Sequence, residues 1–462
     1  MSTDVGGTLM EETRVLSLTA ILGYGYPTEA FAAGMKWEPH AVAVDAGSTD
    51  PGPYYLGEGV SFTARDNVKR DLTPALVECR KRGIPLLVGS AGGAGAAPHL
   101  RWTVDIVEEI ARENRLRFRM AIIPADVPKS LVIDRIRQGA VHPLGPVPPL
   151  TEDAVERTVR IVGQMGTEPF MKALEMGAEV IVAGRAYDPA VFAAVSLVRG
   201  HDKGLAIHMG KILECGAIAA VPGSGSDLLM GTIAGDSFVV EPPNPTRKCT
   251  VRSVAAHSLY EKADPYHLPG PGGVLDLSEV TFEQSSSRAV TVRGSRYQES
   301  SPYCIKLEGV EHIGYRCISI AGVRDPVAIP RIDNIIAGVK EQVRDRSAEF
   351  SNGNCNVWFH VYGKDGVMGE LEPDSTTMPK ELAIVIDVVG KTQEIADSVC
   401  SLVRSTMLHY GYEGRLSTAG NLAFPFSPQD VSCGPVYRFS CHHLLEVADP
   451  CELFPVNIVE VG

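Results

Sequence analysis

Short apolar runs alternate with helix-type segments over the first half of the chain. The runs are apolar at nearly every position, which is typical of strands buried on both faces, and they lie at residues 15–22, 41–44, 86–88, 120–123 and 180–182. Segments with helical periodicity lie between and after them, among them residues 67–82, 99–114, 152–176, 189–199 and 205–220. This alternation predicts an α/β fold with an N-terminal parallel sheet flanked by helices.

The pattern changes after the turn-forming stretch "VPGSGSD" near residue 222. Residues 223–350 show short β-type runs separated by "EPPNP" and "LPGPGG", which predicts a β-rich middle segment. Residues 351–462 combine strands with an amphipathic helix at 392–410, which favours an α+β domain of the ferredoxin-like type. We therefore expect three parts, with the α/β domain covering residues 14–222.

Polar or glycine-rich stretches follow four of the predicted buried strands. They read "GYGYP", "DAGSTD", "GSAGGAG" and "AGRAYD". In parallel α/β folds, ligands bind at the carboxyl ends of the strands, where the strand-to-helix loops gather. The sequence therefore predicts that these loops meet around one crevice.

In "DAGSTD", Asp45 ends a buried strand, where a carboxylate costs desolvation energy unless it has a partner. Asp45 is a candidate acid or base, and together with Asp50 it is a candidate ligand for a divalent cation such as Mg²⁺. Ser48 and Thr49 are candidate substrate-binding residues in the same loop. The alternative is that Ser48, Thr49 and Asp50 only cap the turn.

In "GSAGGAG", small residues precede a helix, so that backbone N–H groups can approach an anion. Gly89, Ser90, Gly92 and Gly93 are therefore candidates for binding a carboxylate or phosphate group. A tight turn that lets the helix pack on the sheet is the alternative interpretation. The stretch matches neither phosphate-binding nor dinucleotide-binding patterns, so we find no nucleotide fingerprint.

Two further segments carry candidate chemistry. In "AGRAYD", the planar fork of Arg185 suits a substrate carboxylate and Asp188 is a candidate catalytic acid; a structural Arg–Asp pair or a helix cap is the alternative. In "HMGKILECGA", Lys211 and Glu214 are three residues apart and form a candidate proton-transfer pair, with ordinary surface pairing as the alternative. A Y-x-x-K pattern ending at Lys306 occurs in a strand-type segment, and we interpret it as chance.

Composition narrows the classes of partner and location. The net charge of −13 argues against nucleic acid or an anionic membrane surface as the main partner, while a small anionic organic molecule remains compatible through a local basic site. No apolar run is long enough to span a membrane, and residues 1–12, an expected frayed terminus, lack a secretion-signal pattern. The ten cysteines show no zinc or C-x-x-C spacing. We expect a cytoplasmic protein with reduced thiols.

Several long motifs resemble the acyclic terpene utilisation protein family. They include "DAGSTDPGPYYLG", "GSAGGAG", "VIVAGRAYDPAVFAA", "HMGKILECG", "IKLEGVEHIGYR" and "TAGNLAFPFSP". The resemblance covers nearly the whole chain, including the N-terminal family domain and the ferredoxin-like C-terminal domain. It implies a context of citronellol-type, carboxylic-acid or acyl-CoA catabolism, and it brings no established catalytic residues. Some relatives occur beside a separate small protein, which implies a possible small partner subunit.

We derive one leading functional hypothesis and two alternatives. The leading hypothesis is a lyase, hydratase or isomerase that transfers a proton next to a carboxylate or thioester. The first alternative is an oxidoreductase or acyl-CoA-handling enzyme of acyclic terpenoid breakdown. The second is a non-catalytic assembly or binding subunit. Because the residues beyond 222 exceed what catalysis needs, we also expect a homo-oligomer.

Overall fold

The computed structural model describes residues 11–374 and 376–462, so that most of the expected frayed terminus lies outside the described residues. These residues form two compact units. The first comprises residues 11–311 with 439–462, and the second comprises residues 312–438. The predicted boundaries after residues 222 and 350 do not coincide with the edges of these units.

The described residues contain both strands and helices along the whole chain. The strands are β1 (Thr13–Ser17), β2 (Ala41–Asp45), β3 (Leu86–Gly89), β4 (Phe118–Ile123), β5 (Val141–Pro143), β6 (Thr158–Gln164), β7 (Val180–Ala183), β8 (Ala220–Val221), β9 (Leu229–Ala234), β10 (Ser237–Glu241), β11 (Lys248–Cys249), β12 (His267–Gly270), β13 (Gly273–Asp276), β14 (Thr281–Gln284), β15 (Val290–Arg293), β16 (Arg296–Glu299), β17 (Tyr303–Val323), β18 (Cys355–Tyr362), β19 (Leu382–Gly390), β20 (Asp430–Val447) and β21 (Asn457–Val461). The helices are α1 (Thr28–Lys36), α2 (Pro53–Glu58), α3 (Arg65–Arg82), α4 (Ala97–Asn114), α5 (Lys129–Arg137), α6 (Glu152–Arg157), α7 (Glu168–Glu175), α8 (Asp188–Val198), α9 (Lys203–Leu213), α10 (Val251–Ser258), α11 (Ile332–Arg346), α12 (Ala348–Ser351) and α13 (Gln393–His409).

Five parallel strands form the centre of a ten-stranded sheet in the first unit. Their order is β1, β2, β3, β7 and β4, and every neighbouring pair among them is parallel. Antiparallel β9 continues the sheet beyond β1, and antiparallel β21 closes it beside β4. The α/β class with a parallel N-terminal sheet is thus confirmed.

The strand β2 shows why these runs lack polar alternation. Ala41 and Ala43 are fully buried in one hydrophobic cluster, while Val42 and Val44 are fully buried in another. Because successive side chains of a strand point to opposite faces, both faces of this strand are covered. A strand of this kind can carry a polar residue only at its end, where Asp45 lies.

The helix expected at residues 152–176 is wrong over its central part. The chain forms α6, then the strand β6, and then α7 after the predicted break at "GTEP". The β-branched segment "TVRIV" pairs antiparallel with the first residues of β17. Strand preference depends on cross-strand partners, which the local periodicity does not report. This strand matters because its last residue, Gln164, lies at the site described below.

The second unit contains the end of β17, α11, α12, β18, β19, α13 and the start of β20. The strands are ordered β18, β19, β17 and β20. Side chains of α11 and α13, such as Val339 and Val403, are buried with Ile384 and Ile386 of β19 in one hydrophobic cluster. The ferredoxin-like assignment of residues 351–462 stays a prediction. None of the described helices combines the length and the apolar character needed to cross a membrane.

Candidate functional site

The loops that follow β2, β3 and β7 meet at one edge of the parallel sheet. Asp45 lies opposite Gly89 in the register of β2 and β3. The backbone N–H of Ser90 donates to the carbonyl of Gly184 at 3.0 Å, and Arg185 Nη1 donates to Ser90 Oγ at 3.2 Å. The backbone of the "GYGYP" loop donates to the carboxylate of Asp71, and none of its residues lines the cavity described below. Three of the four predicted loops are therefore neighbours at Arg185.

Arg185 is the centre of a buried hydrogen-bond network. It is 2% exposed, and its Nε donates to Glu308 Oε2 at 2.7 Å. Its Nη1 donates to the carbonyl of Ala186 at 2.7 Å and to Asp188 Oδ1 at 2.9 Å. Nη2 makes no hydrogen bond to any described residue, and the side chain lines the cavity described below. Arg185 thus organises the protein's own carboxylates, and binding of a substrate carboxylate by Arg185 stays a prediction.

Both partners of the Arg185–Glu308 pair stay charged. Burial works against the guanidinium, but the carboxylates of Glu308 and Asp188 outweigh it, so that the pKa of Arg185 lies above its ordinary value. Burial also works against the Glu308 carboxylate, but Arg185 and Lys306 outweigh it and hold its pKa below the usual range. The pair is a fixed ionic element of the site.

Glu308 was not among the residues singled out from the sequence. It lies in β17, and its Oε1 accepts from Thr49 Oγ1 at 2.9 Å and from Lys306 Nζ at 2.7 Å. The available signal was the motif "IKLEGVEHIGYR", in which Lys306 and Glu308 are the first of four charged residues that interrupt a strand-type segment. Thr49 connects the loop after β2 to this carboxylate, and its role in substrate binding stays a prediction.

Asp45 lies behind the cavity wall rather than on it. It is 4% exposed, its Oδ2 accepts from the N–H of Gly47 at 3.1 Å, and its Oδ1 has no hydrogen-bond partner in the described part of the chain. Burial, with the nearby Asp188 carboxylate adding to it and Arg185 opposing, raises the pKa of Asp45 well above its ordinary value. Because Asp45 does not line the cavity, it can take part in proton transfer there only through a neighbouring group.

The pair suggested as ligands for a divalent cation is divided between two environments. Asp45 is buried, whereas Asp50 is exposed, lines the cavity and accepts from Ser48 Oγ at 2.6 Å. Over residues 11–374 and 376–462, no three His, Cys, Asp or Glu side chains are grouped to hold a metal ion. Cation binding by Asp45 and Asp50 stays a prediction.

The glycine-rich loop packs against the protein itself. An added Cβ would lie 2.2 Å from Val191 at Gly89, 2.8 Å from His99 at Gly92 and 2.7 Å from Phe62 at Gly93. Neither these glycines nor Ser90 line the cavity, and Ser90 Oγ is used by Arg185. Direct ligand binding by Gly89, Ser90, Gly92 and Gly93 stays a prediction, while close packing explains why small residues are needed here.

Gly95→Ala is expected to destabilise the protein far more than Gly83→Ala. Both glycines have a left-handed backbone, with φ of 69° and 66°. A Cβ at Gly95 would lie 2.1 Å from the backbone N of Arg185, whereas a Cβ at Gly83 meets nothing within 4 Å. Gly83→Ala carries only the backbone penalty of about 1–2 kcal/mol. Urea unfolding of both variants measures the difference, and equal losses would show that the loop yields without cost.

A cavity of about 630 Å³ opens beside Arg185, within the first unit. Its volume is in the range of small-molecule sites. It is lined by Asp50, Leu144, Gln164, Arg185, Tyr187, Asp188, Pro189, Lys211, Glu214, Glu261, Lys262, Pro269, Gly270, Pro271, Gly272, Gly273, Val274, Ser300, Cys304, Lys306 and Leu444. Asp188, Lys211, Glu214 and Arg185, predicted from separate segments, are therefore brought together here.

A buried Lys–Glu pair forms part of the cavity wall. Lys211 Nζ donates to Glu214 Oε1, and the two residues are 3% and 7% exposed. The second oxygen, Glu214 Oε2, has no hydrogen-bond partner among the described residues. Burial, opposed by Lys211 and aided by Asp188, raises the pKa of Glu214 to about 7. A carboxyl group with this pKa can both accept and donate a proton near neutral pH.

The stability of the wild type is expected to fall, relative to Glu214→Gln, as the pH rises from 4.5 to about 7. In this window the unfolded chain has lost the Glu214 proton and the folded chain retains it, so stabilisation present at low pH is lost. The pKa difference corresponds to roughly 3 kcal/mol. Urea unfolding of both proteins across this range measures it, and parallel pH curves would contradict the raised pKa.

Several cavity residues were not predicted from local patterns. They are Gln164 at the end of β6, Tyr187, Lys262, Lys306 and the β12–β13 hairpin with its turn "PGPGG". The hairpin lies close to Tyr187, and a Cβ on Gly270 would lie 2.9 Å from the Tyr187 ring. The Y-x-x-K segment that was interpreted as chance does contribute Lys306 to the cavity, from a strand rather than a helix.

Comparison with known proteins identifies a family but no individual relative. No curated protein and no solved structure matches the chain. The family model described as "Acyclic terpene utilisation family protein AtuA" matches residues 64–227 and 230–423, which is more than half of the 462 residues. The matched segments include Arg185, Lys211, Glu214 and Glu308. The chain therefore belongs to the acyclic terpene utilisation family.

Proposed function

We propose that this protein is an enzyme of carboxylic-acid catabolism that transfers a proton at the carbon next to a carboxylate or thioester, as a lyase, hydratase or isomerase. The observation that carries the proposal is Glu214. It is a buried residue of the cavity wall whose carboxylate keeps one oxygen, Oε2, without a hydrogen-bond partner among the described residues, and burial raises its pKa to about 7. Membership of a family named for terpene utilisation supports a catabolic role.

The residues divide into a proton-transfer pair and an anion-stabilising set. Glu214 accepts the proton in its charged form and returns it in its neutral form, while Lys211 holds its other oxygen. Loss of a proton next to a carbonyl group leaves negative charge on the carbonyl oxygen. Arg185 and Lys306 line the same cavity and can stabilise that charge. Asp188 orients Arg185 through its hydrogen bond to Nη1.

No specific observation favours the oxidoreductase or acyl-CoA-handling alternative, because the glycine-rich loop, where that alternative would place a nucleotide or CoA, packs closely against Val191, His99 and Phe62. The non-catalytic alternative leaves the buried Lys211–Glu214 pair without a use. We keep a cytoplasmic location as part of the proposal, since all ten cysteines are free thiols. A homo-oligomer, a small partner subunit and a divalent cation remain proposals to be tested with the purified protein.

The direct test is proton exchange with solvent. We would incubate the protein in D₂O with branched short- and medium-chain carboxylic acids and their CoA thioesters, and follow the proton next to the carbonyl carbon by NMR. The proposal expects this signal to disappear for at least one compound with the wild-type protein. Absence of exchange across the panel, with or without added Mg²⁺, would contradict the proposed reaction.

A further inference from the structure

The cations on the cavity wall differ in how their charge is balanced. Arg185 pairs with Glu308 and Asp188, and Lys211 pairs with Glu214. Lys306 pairs with Glu308 at 2.7 Å. These three side chains have protein carboxylates as partners before any ligand enters the cavity.

Lys262 lacks such a partner. It lies in the connection between α10 and β12, it is half-buried, and it lines the cavity. Within residues 11–374 and 376–462, its Nζ makes no hydrogen bond, ion pair or cation–π contact. The preceding residue, Glu261, has φ of 58°, a left-handed conformation that costs a residue with a side chain roughly 1–3 kcal/mol. The connection keeps this strained conformation at a point where Glu261 and Lys262 both face the cavity.

An ammonium group in this position has carboxylates nearby but no direct ion-pair partner among the described residues. Burial and the charge of Lys211 lower the pKa of Lys262, and the carboxylates of Glu214 and Asp188 oppose this only in part, so the charged form is held at a cost. Lys262 is close enough to Glu214 to favour the charged form of the Glu214 carboxylate, although the two side chains do not form an ion pair. A ligand carboxylate would supply the missing partner through a charge-assisted hydrogen bond. A neutral ligand would leave the charge unbalanced.

We propose that Lys262 Nζ binds the carboxylate of the substrate and that the cavity consequently selects an acid over its neutral analogues. The inference rests on the proposed function for the location of the reacting carbon, which lies next to the group that Lys262 binds and within reach of Glu214. It adds a substrate class, a free carboxylic acid, and a specificity-determining residue that the sequence motifs did not indicate.

The test uses branched short- and medium-chain carboxylates, each paired with its primary amide as a neutral match. Binding to the full-length protein is measured by calorimetry for the wild type, Lys262→Met, Lys262→Arg and Lys248→Met. The wild type is expected to prefer the acid over the amide. Lys262→Met should reduce affinity for the acid roughly tenfold or more while affinity for the amide changes little.

Lys262→Arg should retain most of the preference because it keeps the charge, and Lys248→Met, at an exposed position outside the cavity, should bind like the wild type. Thermal unfolding checks that each variant is folded. Equal affinity of the wild type and Lys262→Met for the acids overturns the inference, and so does a wild type that binds no acid of the panel.

Failure here is distinguishable from failure of the proposed reaction. If acids bind through Lys262 but no proton exchange occurs, carboxylate binding by Lys262 is supported and the proposed reaction is wrong. If exchange occurs and Lys262→Met leaves the acid preference intact, the proposed reaction is supported and carboxylate binding by Lys262 is wrong. A second readout needs no turnover: in the wild type a bound carboxylate, but not its amide, should protect Lys262 from acylation, as measured by peptide mass spectrometry.

Discussion

Glu214→Gln is expected to abolish proton exchange while leaving the protein folded. The amide cannot accept the proton, and loss of a general base typically reduces a rate by about 10²–10⁴-fold. Glutamine has nearly the same shape and can still accept a hydrogen bond from Lys211. The measurement is the exchange rate in D₂O with whichever acid or thioester the wild type turns over, together with circular dichroism. Exchange at the wild-type rate would remove Glu214 from the reaction.

Lys211→Met tests whether Glu214 acts as a base or only contributes to the shape of the cavity. Lys211 lowers the pKa of Glu214, so its removal should move the midpoint of the pH–rate profile upward from about 7. The exposed substitution Glu279→Gln serves as the matched control and should leave both rate and profile unchanged. An unshifted profile in Lys211→Met, with activity present, would show that another group sets the observed pKa.

Arg185→Met is expected to lower the free energy of unfolding by about 3–5 kcal/mol, the usual cost of removing one partner of a buried ion pair. The substitution leaves the carboxylate of Glu308, which is 1% exposed, without the guanidinium that holds its charge. The burial cost of Glu308 would then be only partly offset by Lys306. Urea unfolding at neutral pH measures the loss.

The matched control is Arg137→Met, which breaks an exposed pair between Arg137 and Glu152. Exposed pairs contribute about 0–1 kcal/mol, so this variant should be nearly as stable as the wild type. The double variant Arg185→Met/Glu308→Leu should lose less stability than the two single changes added together, because it leaves no unpaired carboxylate. Equal losses in Arg185→Met and Arg137→Met would contradict a buried ionic centre.

The sequence by itself determined the layout of the central sheet and much of the site. Apolar runs ended by polar loops located β2, β3 and β7, because burial on both faces leaves no room for polar residues within such a strand. Four candidates from two segments, Arg185, Asp188, Lys211 and Glu214, line one cavity. These residues could be singled out from the sequence because burying a charged side chain beside a buried strand or helix costs free energy unless the side chain has a partner or a function.

Only the tertiary structure decided which groups balance these charges. Glu308 comes from a strand 123 positions further along the chain than Arg185, and no local pattern states that the two pair. The same holds for β6, whose strand conformation depends on β17, and for the glycine-rich loop, whose free space is taken by Val191, His99 and Phe62. Hydrophobic periodicity and secondary-structure propensity report only on residues that are close together in the sequence. The partner of a buried charge, and the presence of a cation such as Lys262 that has none, depend on contacts between residues far apart in the chain, and only the folded structure shows those contacts.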